Sequence, residues 1–400
     1  MIAGFRCAVC GTTVDVATPL AWACPQASPT DPHHVLHLVD SGPLAPARQD
    51  DNPFIRYGDR LAWRAFARAQ GLTDDACDAL TREAAGGFRV TPFERSARLS
   101  DEIGADVWVK NETGNVGGSH KARHLASILL HLRAAETLGH LDQRPPLAIA
   151  SCGNAAIAAS TLAAAVDWPI QVYVPQWMDA TVEKVLSDLG ADIHRCERRD
   201  TDPPGDPALH RFREAVAGGA VPFSVQGPEN ALCLDGGRTI GWEMADQAAD
   251  AGIELDTVVI QVGGGAFAGC VGASLPIPLH PIQTEGCAPL NAAWEKAQGM
   301  SDPEQHWSDL MQSWPDPHSL ADGILDDETY DWLSIVDAMR RQGGQPIVAP
   351  ETQVIAAHKL AHEAGYNVSP TGSAGLAGLL SARERFEGQT VAIVMSGVTR

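Results

Sequence analysis

Positive charge is scarce in this sequence. Over 400 residues, 29 Lys and Arg stand against 50 Asp and Glu, a formal net charge of −21. Such a surface repels nucleic acid, anionic membranes and polyphosphates, so none of these is expected as a partner. Long apolar runs are missing as well. The Ala-rich stretch 155–166 is too short to cross a bilayer. The opening Met-Ile-Ala-Gly-Phe-Arg lacks the charged-then-apolar pattern of a leader. Nine cysteines, an odd number, follow no disulfide framework beyond the first two dozen residues, which fits reduced thiols in the cytoplasm. There is no Walker loop, no spaced-glycine dinucleotide fingerprint, no internal repeat and no low-complexity segment.

What is present is ample apolar material: 44% of the chain is hydrophobic, enough for a large core divided between domains. Residues 1–85 carry Cys pairs, His33, His34 and Pro-rich turns, and read as an N-terminal extension with one helix over Arg60–Arg82. From about residue 88, short β-rich runs alternate with Ala-rich helical stretches. Strands are predicted at 106–110, 147–151, 170–175, 192–196, 223–225, 258–263, 281–285 and 390–396. Helices are predicted at 121–138, 181–189, 238–251 and 356–364. This alternation predicts an α/β fold of doubly wound, mostly parallel sheets. The expected division is a large domain from 86–124 and 220–400, and a small α/β domain from 125–219. The stretch 288–320 reads as a surface excursion.

Ligands of such sheets bind beyond the carboxyl ends of the strands, and three strand-to-helix joints hold suggestive residues. In Gly117-Gly118-Ser119-His120-Lys121, a lysine stands where a helix begins. The partial positive charge there disfavours an ammonium and favours the free amine that Schiff-base formation needs. In Ser151-Cys152-Gly153-Asn154, small polar residues lead into a helix, as an ordinary N-cap also would. In Gly263-Gly264-Gly265-Ala266, consecutive glycines after an apolar strand expose backbone N–H groups beside a helix start. That is a cradle for a monophosphate requiring no basic side chain.

Taken in order, these joints resemble the fold type II pyridoxal phosphate (PLP) family, which includes threonine synthase, serine/threonine dehydratase, cysteine synthase and the tryptophan synthase β subunit. The similarity covers roughly residues 52–400. Asn52-Pro53-Phe54-Ile55-Arg56-Tyr57 and Thr91-Pro92-Phe93 resemble the opening segment of threonine synthases. Ser119-His120-Lys121 resembles the family's Ser-Phe-Lys or Ala-His-Lys, which implies Lys121 as the Schiff-base lysine. Ser151-Cys152-Gly153-Asn154 resembles its Ser-x-Gly-Asn loop, whose Asn contacts the cofactor's 3′-oxygen. The run 236–243, Asp322-Gly323-Ile324 and 370–375 resemble later family segments. Met395-Ser396-Gly397 resembles the ending that sets a hydroxyl against the pyridine nitrogen. PLP is thus the implied cofactor, with Lys121, Asn154, Gly263, Gly264, Gly265, Ala266 and Ser396 as its contacts. Ser119, Ser151, Cys152 and Gly153 are implied for a small amino-acid substrate, and a homodimer is the family's assembly.

A neutral hydroxyl at the ring nitrogen makes a weaker electron sink than a carboxylate would, which suits elimination, since the leaving group drains the carbanion. The expected activity is β-elimination from a hydroxy amino acid such as serine or threonine. Threonine synthesis from O-phosphohomoserine and β-replacement are the alternatives. The run Lys121-Ala122-Arg123-His124 departs from the Lys-Asp-Arg-Gly of threonine synthases, whereas the extension leans toward them. A regulator without activity or a dehydrogenase is disfavoured.

Cys7-x2-Cys10 followed by Cys24-Pro25 resembles a zinc ribbon, but position 27 is Ala. The fourth ligand must come from His33, His34 or His37; otherwise the segment is a degenerate ribbon with free thiols. Any zinc there would be structural.

Overall fold

The computed structural model describes residues 2–28, 31, 33–203 and 205–400. Among the described residues, thirteen strands form three sheets. At the N-terminus, β1 (Ile2–Cys7), β2 (Thr13–Asp15) and β3 (Leu36–Asp40) pair antiparallel in the order β2-β1-β3. A six-stranded sheet comprises β4 (Phe93–Arg95), β5 (Asp106–Asn111), β10 (Thr257–Gln261), β11 (Leu279–Thr284), β12 (Ile347–Ala349) and β13 (Thr390–Met395). Its order is β12-β11-β10-β13-β5-β4, and only β4 runs antiparallel to its neighbour. The four-stranded sheet is parallel throughout: β6 (Leu147–Ala150), β7 (Ile170–Pro175), β8 (Asp192–Cys196) and β9 (Val221–Pro222), ordered β8-β7-β6-β9.

The larger sheet is parallel because helices cover both of its faces, and its central strands are accordingly apolar end to end. Every residue of β10 and β11 is buried. Successive residues point to opposite sides. Val259 and Ile393 pack with Leu376 and Leu379, while Val258, Ile260 and Val394 pack with Val271, Ile335 and Met339. The helix Pro370–Ser381 lies so close to β10 and β11 that a Cβ on Gly375 would stand 2.9 Å from the Gln261 side chain, and one on Gly378 would collide with Ile282. An Ala at position 378 would have to push the helix off the sheet.

Several expectations need correction. The single helix over Arg60–Arg82 is two helices, Ala62–Ala69 and Asp74–Ala85. Gly71 takes φ +100° between them, and the Thr73 hydroxyl caps the second. The strand expected at 223–225 forms earlier, as β9, and joins the small sheet. The expected domain boundary at 124/125 falls inside the helix Lys121–Thr137. The stretch 288–320 is no mere surface excursion, because its helix Pro289–Ala297 buries Leu290, Ala293 and Ala297 in the core. Among the described residues, no helix is long and apolar enough to cross a membrane.

Candidate active site

The chain has five lysines: Lys110, Lys121, Lys184, Lys296 and Lys359. Lys110 is buried against Glu243, Lys184 and Lys359 make surface ion pairs, and Lys296 is exposed. Lys121 alone is half-buried, and among the described residues it makes no ion pair. It opens a helix whose interior is buried almost throughout, so its position along the axis is fixed.

The segment before it is stitched to the end of the chain. Ser119 bridges Gly397, the His120 N–H donates to the Ser396 carbonyl at 2.9 Å, and the Val398 N–H donates to the Gly118 carbonyl at 2.9 Å. The His120 ring adds a contact from Nδ1 to the same Ser396 carbonyl at 3.1 Å. A carbonyl only accepts, so Nδ1 carries the hydrogen. Burial, then the neighbouring His124 and Lys121, pushes this imidazole down to about 3, so it stays neutral. It also packs on Phe267, with ring centroids 4.2 Å apart. Asn154, the first residue of the helix Asn154–Ala165, reaches the same place. A Cβ on Gly397 would meet its side-chain nitrogen at 2.9 Å and Ser119 Cβ at 3.4 Å.

Ser396 is buried at the end of β13, where Gln261 Nε2 donates to its Oγ at 2.6 Å. The same nitrogen faces the carbonyls of Gly372 at 3.0 Å and Val394 at 3.3 Å, which fixes which end of the amide is which. The Ser396 N–H in turn donates to Gly372, and the Ser369 N–H to Gly397. The segments around 370 and 396 therefore close on each other, and Thr371 ties in Asp322 through its hydroxyl at 3.2 Å.

After β10, Gly263-Gly264-Gly265 turns into the helix Ala266–Ser274, with Gly265 at φ +99°, a conformation an L side chain resists. The segment 324–331 covers this loop. Asp326 presses on Gly263, Tyr330 lies over Gly264, and the Asp331 N–H donates to the Gly264 carbonyl at 2.8 Å. Burial raises the Asp326 carboxyl, while the Lys121 charge and the Gly264 N–H oppose that rise.

Ser151, Cys152 and Gly153 form the half-buried turn between β6 and Asn154. The Gly153 N–H leans on the Ser151 hydroxyl at 3.4 Å. Burial pushes the Cys152 thiol up, and the charges acting on it include Asp322 and Lys121.

Behind Lys121 lies a buried ionic network absent from the sequence-based expectations. Arg123 donates to Glu112 through Nε at 2.8 Å and to Glu243 at 2.5 Å. Lys110 reaches Glu243 at 2.6 Å, and the Thr91 hydroxyl donates to Glu112 at 2.5 Å. Burial alone would raise the Glu112 carboxyl, but Arg123 overcomes it and holds the group at about 2. Removing one member would strand a buried charge, at a cost of about 3–5 kcal/mol. The network anchors the first turn of the Lys121 helix to β5 and to the helix Arg238–Ala251. Its members lie far apart in sequence. The signal available was that Arg123 and Glu243 sit on helices within otherwise buried runs. Gln261 was likewise missed as a site residue, being the last, buried polar position of an apolar strand.

Comparison with known proteins identifies a family. A family model described as "Pyridoxal-phosphate dependent enzyme" matches residues 84–397. The chain is 25% identical over 322 residues to a biosynthetic L-threonine dehydratase of Haemophilus influenzae, a match covering 77% of this chain and 56% of that protein. It thus spans a little over half the length of that relative. It is 26% identical over 326 residues to a threonine synthase of Mycobacterium bovis, covering 77% of this chain and 80% of that one. Among solved structures, a T.th. threonine deaminase superposes with a TM-score of 0.65 at 21% identity, covering 81% of this chain and 97% of that chain. Maize serine racemase superposes at 0.64 with 18% identity, covering 82% and 93%.

Proposed function

Since the chain belongs to the pyridoxal-phosphate dependent enzyme family, we propose that it is a lyase removing the β-hydroxyl of an amino acid such as serine or threonine, with release of ammonia and a 2-oxo acid. The cofactor is PLP, and the site suits it on three counts. Lys121 offers an amine without an ionic partner. The glycine loop turns into a helix start with Gly265 at φ +99°, backbone that can present N–H groups to a phosphate oxygen. The Ser119 hydroxyl is buried without a partner, a polar group in want of a ligand.

Lys121 would hold the cofactor covalently, with its phosphate on the N–H groups of Gly263, Gly264, Gly265 and Ala266. Asn154 would meet the ring oxygen and Ser396 the ring nitrogen. Bound there, PLP supplies the electron sink that acidifies the substrate's Cα–H and lets a β-substituent leave. The chain's own residues do the rest. The Lys121 amine, displaced by substrate, takes the α-proton. The helix start at Ser151-Cys152-Gly153-Asn154 and the Ser119 hydroxyl receive the substrate carboxylate. Neutral His120, packed on Phe267, shuts water out of the base of the pocket.

The observation that carries elimination is the Ser396 hydroxyl held by the Gln261 amide, with no carboxylate in the pair. A second reading, threonine formation from O-phosphohomoserine, draws support from the threonine synthase relative, 80% of whose length is matched. The discriminating experiment incubates purified enzyme with serine, threonine and O-phosphohomoserine in parallel, measuring ammonia, inorganic phosphate and the enantiomers of the amino acid. Ammonia with a 2-oxo acid from serine or threonine is expected. Phosphate release with accumulating threonine, and no ammonia, would replace the first reading by the second. D-amino acid without ammonia would make the enzyme a racemase.

A further inference from the structure

The N-terminal sheet gathers four side chains for which the lyase chemistry has no use. Cys7 ends β1, Cys10 follows in the turn, and Cys24 and His34 come from the long connection before β3. Their donor atoms all lie within 4.8 Å of one another. Cys10 and Cys24 have their sulfurs 3.7 Å apart, and His34 Nδ1 stands 3.4 Å from Cys7 Sγ and 3.8 Å from Cys24 Sγ. With Zn–S near 2.3 Å and Zn–N near 2.0–2.1 Å, a tetrahedron has S–S edges of about 3.8 Å and S–N edges of about 3.5 Å. The observed separations match those edges, and they are far too long for a disulfide, whose sulfurs sit about 2 Å apart.

The surroundings are those of a ligand set as well. Asp31 Oδ2 lies 2.9 Å from His34 Nε2, which turns Nδ1 toward the sulfurs, as an outer carboxylate does for a metal-bound imidazole. The Cys10 N–H points at Cys7 Sγ at 3.5 Å and the Gln26 N–H at Cys24 Sγ at 3.4 Å, contacts that favour thiolates. Cys7, Cys24 and His34 are buried. The other two candidate histidines lie outside the cluster: His33 bonds Glu328 at 3.2 Å and stacks on Trp307, and His37 sits within β3.

We propose that Cys7, Cys10, Cys24 and His34 bind one Zn2+ in a closed, tetrahedral, structural site. Four protein ligands leave no position for a reacting molecule. Binding would release the thiol protons and pin the connection 20–34. Among its described residues, that connection hydrogen-bonds the body of the protein through Leu20 N–H to His131, the Trp22 carbonyl to Ala231 N–H, and His33 to Glu328. The proposal stands independently of the substrate.

The test uses the full chain purified under reducing conditions without chelator. Elemental analysis should find one zinc per chain. Replacing zinc by Co2+ should give the intense visible bands and the thiolate-to-metal charge transfer of a tetrahedral thiolate site. Cys24→Ser and His34→Ala should lose most of the zinc, and His34→Cys should keep it. Asp31→Asn should weaken the metal about tenfold or more in competition with a chromophoric chelator. The site is disproved if the wild-type chain holds no zinc and Co2+ added to it keeps the faint spectrum of the aquo ion. Retention of full zinc by a Cys24→Ser, His34→Ala double variant would overturn it equally. Because the cobalt spectrum is read on the wild-type chain, the test remains decisive even where a variant fails to fold.

Discussion

The side-chain amide of Gln261 hydrogen-bonds the Ser396 hydroxyl, Nε2 to Oγ 2.6 Å, and two backbone carbonyls hold that amide in place. An oxygen that accepts from Gln261 has its own hydrogen free to donate elsewhere, and the ring nitrogen of PLP is the partner proposed for it. Gln261 is therefore a positioning residue. Gln261→Leu should lower kcat about tenfold, the order of one hydrogen bond, with KM little changed. Ser396→Ala should do the same, and the double variant should be no worse than either, because both remove one interaction. The checks are steady-state kinetics and the absorption of the bound cofactor. Additive losses with an unaltered spectrum would place the pair outside the cofactor's reach.

Much of this site could be read along the chain, because its parts are local. β7 forms where an apolar run between turn residues predicts it, β8 spans its expected residues, and so does the helix Arg238–Ala251. A Gly-rich turn after an apolar strand and a lysine at a helix start are contiguous signals. What stayed hidden depends on residues distant in sequence. The network of Thr91, Lys110, Glu112, Arg123 and Glu243 exists only once β5 and two helices meet. The cover of segment 324–331 over Gly264 is of the same kind, as is the choice of His34 over its neighbours. Adjacent His33 and His34 cannot be told apart by spacing. The turn between them and β3 sends one ring to Glu328 and the other to the cysteines. The helix at 289–297 is hard to read because Pro, Asn and Trp mask its three buried aliphatic positions.

Lys121→Ala should abolish turnover, with a loss of at least two to four orders of magnitude for the missing base alone. Borohydride reduction of the wild-type enzyme should leave a pyridoxyl group on the peptide containing Lys121. Of the five lysines, Lys110 is sealed behind the helix and the other three are on the surface, so a competing site is not expected. Mass spectrometry locating the label on any other lysine would refute the assignment of Lys121.

Two substitutions around the glycine loop should act in opposite directions. Gly264→Asp sets a side chain against Tyr330, 3.1 Å from the new Cβ, and adds a negative charge where the phosphate is to sit. PLP affinity should fall sharply, with secondary structure retained by circular dichroism. Asp326→Asn removes the buried carboxyl that crowds Gly263, so a phosphate would no longer compete with an acid there. Its apparent dissociation constant for PLP should drop below that of wild type. Equal affinities in all three proteins, by fluorescence titration, would mean that the phosphate binds elsewhere.

Stability should depend on pH through Asp331, which lies beneath the loop. Its carboxylate accepts the Gly227 N–H at 3.1 Å through one oxygen, and the other oxygen is buried without a partner. Burial pushes the carboxyl up to about 7, against the pull of the Gly227 N–H, and the nearby Asp326 adds to the rise. An unfolded aspartate titrates near 3.9. Between those values the folded chain holds a proton that the unfolded chain has released. The stabilisation is therefore complete below about pH 4 and is lost as pH climbs through 7. At about 1.4 kcal/mol per unit, the loss across that window is on the order of 4 kcal/mol. Asp331→Asn keeps an acceptor for Gly227, cannot ionise, and should erase this slope. Urea unfolding of both proteins at pH 5, 6.5 and 8 reads the effect, because titrating groups remote from Asp331 contribute alike to the two curves. The variant should gain on wild type from pH 5 to about pH 7 and level off by pH 8. Parallel curves would mean that Asp331 is already ionised at pH 5 and that its unpartnered oxygen finds water.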